Sequence, residues 1–143
     1  MSEAKELLAM HVRAFNERAW GRASEIYAPD LVVIEPAGTV HGIDAFLGHA
    51  QGFTTAFPDS RMEVTTIIES GDQAVMEGVY AGTNTGPLAT PQGELPPTGR
   101  QLALPLCEMC EVVAGRIAVL RVYYDQMAFA GQMGLLPEPA MAG

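Results

Sequence analysis

The chain has 143 residues, of which 48% are hydrophobic and 17% charged, enough for one domain with a real buried core. Eight Lys and Arg stand against 17 Asp and Glu, a formal charge of −9. With no basic cluster, this balance argues against nucleic acid or an anionic membrane as partner, because both need a positive footprint. The first ten residues carry Glu3, Lys5 and Glu6 and no apolar run with a cleavage site. No signal peptide is read, no stretch reaches the length of a membrane span, and a cytoplasmic location is expected.

In chain order, residues 2–18 read as a helix capped by Ser2, with Leu7, Leu8, His11, Val12 and Phe15 at helical spacing. A second, short helix at 20–27 ends in the turn Ala28-Pro29-Asp30, and residues 31–35 form a strand that Pro36-Ala37-Gly38 closes. Residues 42–57 make a third helix on an apolar stripe of Ile43, Phe46, Leu47, Ala50, Phe53 and Phe57. Residues 61–69 and 73–84 pair as a hairpin around Ser70-Gly71-Asp72. The Pro- and Gly-rich stretch 85–98 is long enough to be a binding loop or a mobile hairpin end. Two long strands at 99–114 and 116–124 flank Ala114-Gly115, a last helix spans 126–133, and 137–143 is a loose tail. The order predicts one α+β domain over residues 1–136, with helices on one face of a mostly antiparallel sheet. Leu102, Leu104 and Leu106 oppose Ala103, Pro105, Cys107 and Met109, so both sheet faces read as apolar. A covered outer face in so small a domain implies a homodimer.

The stretch G-R-I-A-V-L-R-V-Y-Y-D at 115–125 ends a strand on a carboxylate. Strict alternation puts Ile117, Val119, Arg121, Tyr123 and Asp125 on one face, grading from apolar to polar. Two readings of Asp125 stay open: an acid–base group in an apolar pocket, or the N-cap of the following helix. Cys107 and Cys110 fall on opposite faces of their strand, and His11, His41 and His49 have no ligand spacing, so no metal is expected.

These segments together resemble a known family. A helix with A-F-N is followed by Y-A-P-D-L-V-V-I-E-P-A-G, H-G-I-D-A-F and F-P-D-S-R-M-E-V, then by G-T-N-T-G-P-L, L-P-P-T-G-R and Q-M-G-L-L. In order and spacing this is similar to the SnoaL-like polyketide cyclase branch of the nuclear transport factor 2-like superfamily. The resemblance implies a cone-like α+β barrel, a strongly curved sheet wrapped around N-terminal helices with a pocket, and frequent dimers. It also implies that an Asp at the end of the last long strand acts as acid and base, and Asp125 is the matching position. Related sequences commonly carry His where this chain has Asn84, which can hydrogen-bond but not titrate near neutrality.

The reaction this implies is an intramolecular aldol closure of a hydrophobic, oxygenated small molecule, without cofactor. A carbon flanked by carbonyls loses a proton, and the attacked carbonyl oxygen gains one. A carboxylate buried in an apolar pocket is a better base than in water. Tyr123 could donate to a developing enolate oxygen. Arg121 is the alternative donor, but its charge would make Asp125 a weaker base; an ion pair with Glu35 or Glu108 is its structural reading. The substrate-binding candidates are Asn84, Glu35, Trp20, Phe15, His49 and Glu108. Each also has a plain structural reading: a turn, an exposed strand end, helix packing, a boundary histidine, a paired buried acid. Fold alone leaves open an epoxide hydrolase or ketosteroid-isomerase-like isomerase, or a ligand-binding dimer with no catalytic role.

Overall fold

The structure, a computed structural model, describes residues 3–90 and 92–136. The expected Ser2 cap and the loose tail at 137–143 lie outside the described residues. Helix α1 (Glu3–Glu17) buries Ala4, Leu7, Leu8, His11, Val12 and Ala14, a stripe at i, i+3, i+4 and i+7. Glu3 and Glu6 sit in its first turn, where the helix dipole favours negative charge. It ends at Arg18, which adopts φ +57 where glycine is usual. The amide of Arg18 donates to the Phe15 carbonyl and that of Ala19 to the Ala14 carbonyl. The Arg18 guanidinium offsets the left-handed strain by donating to the carbonyls of Phe15, Pro58 and Ser60.

A 3-10 turn (Trp20–Arg22) and helix α2 (Ala23–Ile26) lead into β1 (Tyr27–Glu35). The expected turn at Ala28-Pro29-Asp30 is instead part of this strand, inside a register irregularity between Tyr27 and Val32 where Pro29 owes the ladder no amide. A short strand β2 (Gly38–His41), too brief and polar to signal itself, precedes helix α3 (Ile43–Ala56). Then come β3 (Arg61–Ser70), β4 (Gln73–Thr83), the small hairpin β5 (Leu88–Thr90) with β6 (Gly93–Leu95), β7 (Gln101–Val113), β8 (Arg116–Tyr124) and helix α4 (Gln126–Gln132).

Six strands form one curved sheet in the order β2-β1-β8-β7-β4-β3, antiparallel except where β1 lies parallel to β8. Two single-residue bulges add to its twist. One inserts Thr65 opposite Gly78 and Glu77. A Cβ on Gly78 would lie 2.3 Å from the Glu63 carbonyl oxygen, so only glycine fits beneath it. The other inserts Ala118, because Val112 and Glu111 pair with Ile117 and Val119. The helices pack into the concave face, and a core including Leu8, Ile26, Leu31, Phe57, Met76, Leu102, Ile117 and Leu120 is fully or almost fully buried. Helix α4 continues along β7 where β8 stops: Gln132 donates to the Ala103 carbonyl and accepts from its amide.

Candidate active site

The Ala118 bulge decides which residues face inward. Past an extra residue the alternation of a strand changes parity. Ile117 therefore shares the inner side with Leu120, Val122 and Tyr124, while Arg121 and Tyr123 project from the outer side. This corrects the expectation that Ile117, Val119, Arg121, Tyr123 and Asp125 share one cavity wall. Tyr123 is 54% exposed. Arg121 pairs at 2.9 Å with Glu111, not with Glu35 or Glu108. Hydrogen bonds from Arg121 and Gln73 hold the Glu111 carboxyl below its ordinary range. Asp125 is exposed and caps α4, accepting from the amides of Met127 at 2.8 Å and Ala128 at 3.2 Å.

The concave face holds a narrow apolar cavity. It has about 740 Å³ of empty space counted to its open mouth. Helix α1 contributes His11 and Phe15, α3 contributes Phe46, His49 and Phe53, and α4 contributes Phe129. The sheet contributes Val33 and Glu35, Tyr80, Leu104, Leu106 and Glu108, and Leu120, Val122 and Tyr124.

Two carboxylate–imidazole pairs interrupt this apolar wall. Glu35, at the end of β1, is not an exposed strand-end acid: its side chain is 8% exposed and its Oε1 lies 2.7 Å from His49 Nε2. The His49 side chain is 32% exposed, yet Nε2 itself is buried and makes no aligned hydrogen bond, so the contact is an ion contact with poor hydrogen-bond direction. The Glu35 charge, together with the larger effect of burial, raises the pKa of the nearby Tyr124. In the same cavity, Glu108 Oε1 lies 2.7 Å from His11 Nε2, both side chains almost fully buried, and His11 Nδ1 lies 2.5 Å from the Tyr27 hydroxyl. Burial, and secondarily Glu108, pushes the Tyr27 phenol well above its ordinary range. The Tyr80 hydroxyl is also buried without an aligned partner; burial raises its pKa to about 12 against a smaller opposing effect of Ser60.

Of the substrate-binding candidates, Phe15, Glu35, His49 and Glu108 thus come together in one cavity. Trp20 lines a second, smaller one behind it, with Tyr27 and Leu47. Asn84 is buried as a loop clamp: it donates to the carbonyls of Ala56 and Gly86 and accepts from the amide and hydroxyl of Thr98. Sequence reasoning missed His11, Tyr27, Tyr80 and Tyr124. The signal for His11 was present: a titratable ring on the stripe of Leu7, Leu8 and Val12 must find a partner, as must Glu108 beside Leu104 and Leu106. Among the described residues, no group of three or more His, Cys, Asp or Glu could hold a metal ion, and no helix is long and apolar enough to cross a membrane.

Helices packed into a curved mixed sheet, around an apolar cavity with a few convergent polar groups, define an α+β fold of the nuclear transport factor 2-like kind. The family model for the SnoaL-like polyketide cyclases matches residues 5–133, and the chain belongs to that family. Among solved structures it is similar to IdmH of Streptomyces antibioticus, described provisionally as a polyketide cyclase. The two are 28% identical with a TM-score of 0.76, over 90% of this chain and 96% of that one. TsrD of Streptomyces laurentii shares the fold at 21% identity and a TM-score of 0.80, over 94% and 96% of the chains. A SnoaL-like protein from Jannaschia sp. CCS1 does so at 19% and 0.77, over 96% and 98%. A comparison with curated proteins returned no match.

Proposed function

We propose that this protein is a cofactor-free enzyme that closes a ring by intramolecular aldol chemistry on an apolar, polyketide-like substrate. The observation that carries this reading is the presence of two carboxylate–imidazole pairs, each at 2.7 Å, on the wall of one apolar cavity. An aldol closure needs one proton removed and one delivered, and two separate pairs can serve the two ends. We place the base at His49, whose buried Nε2 has Glu35 to stabilise the imidazolium it would become. His11–Glu108 lies in the same cavity and supplies the proton for the carbonyl oxygen. Low local dielectric strengthens both interactions. This assignment moves the acid–base role from Asp125, whose carboxylate is committed to the α4 amides. The family and the likeness to IdmH support the substrate class.

The test is proton exchange at carbon. Bicyclic aryl ketones and 1,3-diketones are incubated with the protein in heavy water, and loss of the α-proton signal is followed by NMR. The reading predicts protein-dependent exchange that falls about 100-fold or more in His49→Gln. Equal exchange by wild type and His49→Gln would remove His49 as the base, and no acceleration across the panel would count against carbon-acid chemistry.

A further inference from the structure

We propose that Tyr27 is a positioning residue: its hydroxyl turns from donor to acceptor toward His11, so that the His11–Glu108 pair can take up and give back one proton without losing a hydrogen bond. The argument is an inventory of protons over three side chains joined end to end, Tyr27 to His11 Nδ1 at 2.5 Å and His11 Nε2 to Glu108 at 2.7 Å. All three residues are about 95% buried, so a missing partner cannot be replaced from bulk water. Burial keeps the Tyr27 phenol protonated.

The empty state is defined as the one in which Glu108 is a carboxylate. A bare Nε2 facing it at 2.7 Å would set two lone pairs against each other, so Nε2 carries the hydrogen and donates. Nδ1 is then bare and accepts the hydrogen of Tyr27. In the loaded state one more proton is present, either on the ring as imidazolium or on Glu108 with the ring as the Nδ1–H tautomer. In both cases Nδ1–H points at Tyr27, whose oxygen now accepts. Only the phenolic hydrogen turns; no heavy atom needs to move. Tyr27 also borders the smaller cavity beside Trp20, which leaves that hydrogen space to turn into; its lining side chains are mostly apolar, so His11 keeps both its bonds while the phenol gives up its own donation.

The surroundings leave the proton with this pair. Cys110 follows Glu108 on the same strand and its thiol is pushed up by burial, with Glu108 a lesser cause. On the adjacent strand β8, Val122 pairs directly with Glu108 and Tyr124 lies two residues further on, and Glu35 and His49 line the same cavity. Helix α3 presents the Phe46 ring to both His11 and Tyr27. No Lys or Arg lines either cavity among the described residues. In turnover, a role that rests on the proposed aldol reading, His49 takes the carbon proton. The enolate pair forms the C–C bond as the carbonyl π pair moves to oxygen, and that oxygen takes the stored proton. His49 then returns its proton to solvent, and the His11–Glu108 pair reloads from it.

The test reads the switch directly. In protein labelled with nitrogen-15 at histidine, two-bond proton–nitrogen correlations separate the two neutral tautomers from imidazolium, and His11→Asn identifies the His11 signals. As the pH is lowered from about 9 to about 5, His11 is expected to pass from the Nε2–H form to an Nδ1-protonated form in a single one-proton step. In Tyr27→Phe, where Nδ1–H would face no acceptor, the midpoint is expected to fall by about one pH unit or more. A His11 frozen in one state across that range, or an unmoved midpoint in Tyr27→Phe, overturns the proposal. If that variant does not fold, the wild-type titration decides alone. A titrating His11 with no ketone exchange would fault the enzymatic reading and leave the switch standing, and exchange with a frozen His11 would do the reverse.

Discussion

Replacing Asp125 separates the two roles its position allows. The side chain accepts from two otherwise unpaired amides of α4, at 2.8 and 3.2 Å, from an extended backbone conformation (φ −86, ψ 109). Losing such a cap costs about 1 kcal/mol. For a chain of this size, Asp125→Ala should therefore lower the melting temperature by about 3 °C. Asn is as good a cap as Asp, so Asp125→Asn should stay within about 0.5 kcal/mol of wild type. Helix α4 also carries Phe129, which packs against Phe57 at 6.3 Å and lines the cavity, so the Ala variant loosens one wall while the Asn variant does not. If Asp125 only caps, Asp125→Asn keeps carbon-proton exchange at the wild-type rate. If it is the acid–base group, the same variant loses about 100-fold or more at unchanged stability. Thermal unfolding and the exchange assay on both variants decide it. An Asn variant that is stable and inactive, beside an Ala variant with an unshifted melting temperature, would refute the capping argument.

Glu108→Ala strands the buried His11 ring and should cost about 3 kcal/mol in urea denaturation, and a loss below about 1 kcal/mol would mean that the pair is not buried as described. Alkali should destabilise the fold. Tyr27 and Tyr80 have folded pKa values raised above the ordinary value near 10, so their contribution is complete below about pH 10 and is lost as pH rises beyond it, by about 1.4 kcal/mol per pH unit for each. Tyr27→Phe should flatten that slope by one tyrosine's share, and an unchanged slope would contradict the burial of the phenol. Gly86→Ala places a Cβ 1.9 Å from the Thr55 carbonyl oxygen and should cost about 3 kcal/mol, read by thermal unfolding; a neutral effect would show that the 85–98 segment does not seat on α3. On the outer sheet face, Met109 and Val75 are directly paired and half-buried beside the exposed Ile68, an apolar patch that the homodimer expectation would cover. Sedimentation should give twice 15.2 kDa, and a monomer at micromolar concentration would remove that interface.

Periodicity made most of the elements legible. The stripe of α1, the apolar face of α3 and the hairpin around Gly71 all follow from side chains that repeat every three to four residues or every second one. What escaped was set between elements. Tyr27 and Glu108 meet His11 from positions 16 and 97 residues away, and no local pattern encodes such a meeting. Nor did Pro29 mark a turn, because the sheet tolerates it at an irregularity in β1.

The site was displaced by a single residue. Had β8 run without its bulge, Ile117 would share a face with Arg121 and Tyr123, and the expected wall ending at Asp125 would follow. Ala118 is small and apolar, and nothing in its type announces an extra residue; the bulge arises because Glu111 and Val112 remain consecutive on β7 while their partners do not. Its consequence is chemical as well as geometric. It turns the arginine outward to Glu111 and, among the described residues, leaves the polar part of the cavity lining to acids, imidazoles and phenols with no Lys or Arg. In such a lining a buried carboxylate still needs a polar partner, and each cavity acid in this protein stands 2.7 Å from a histidine nitrogen.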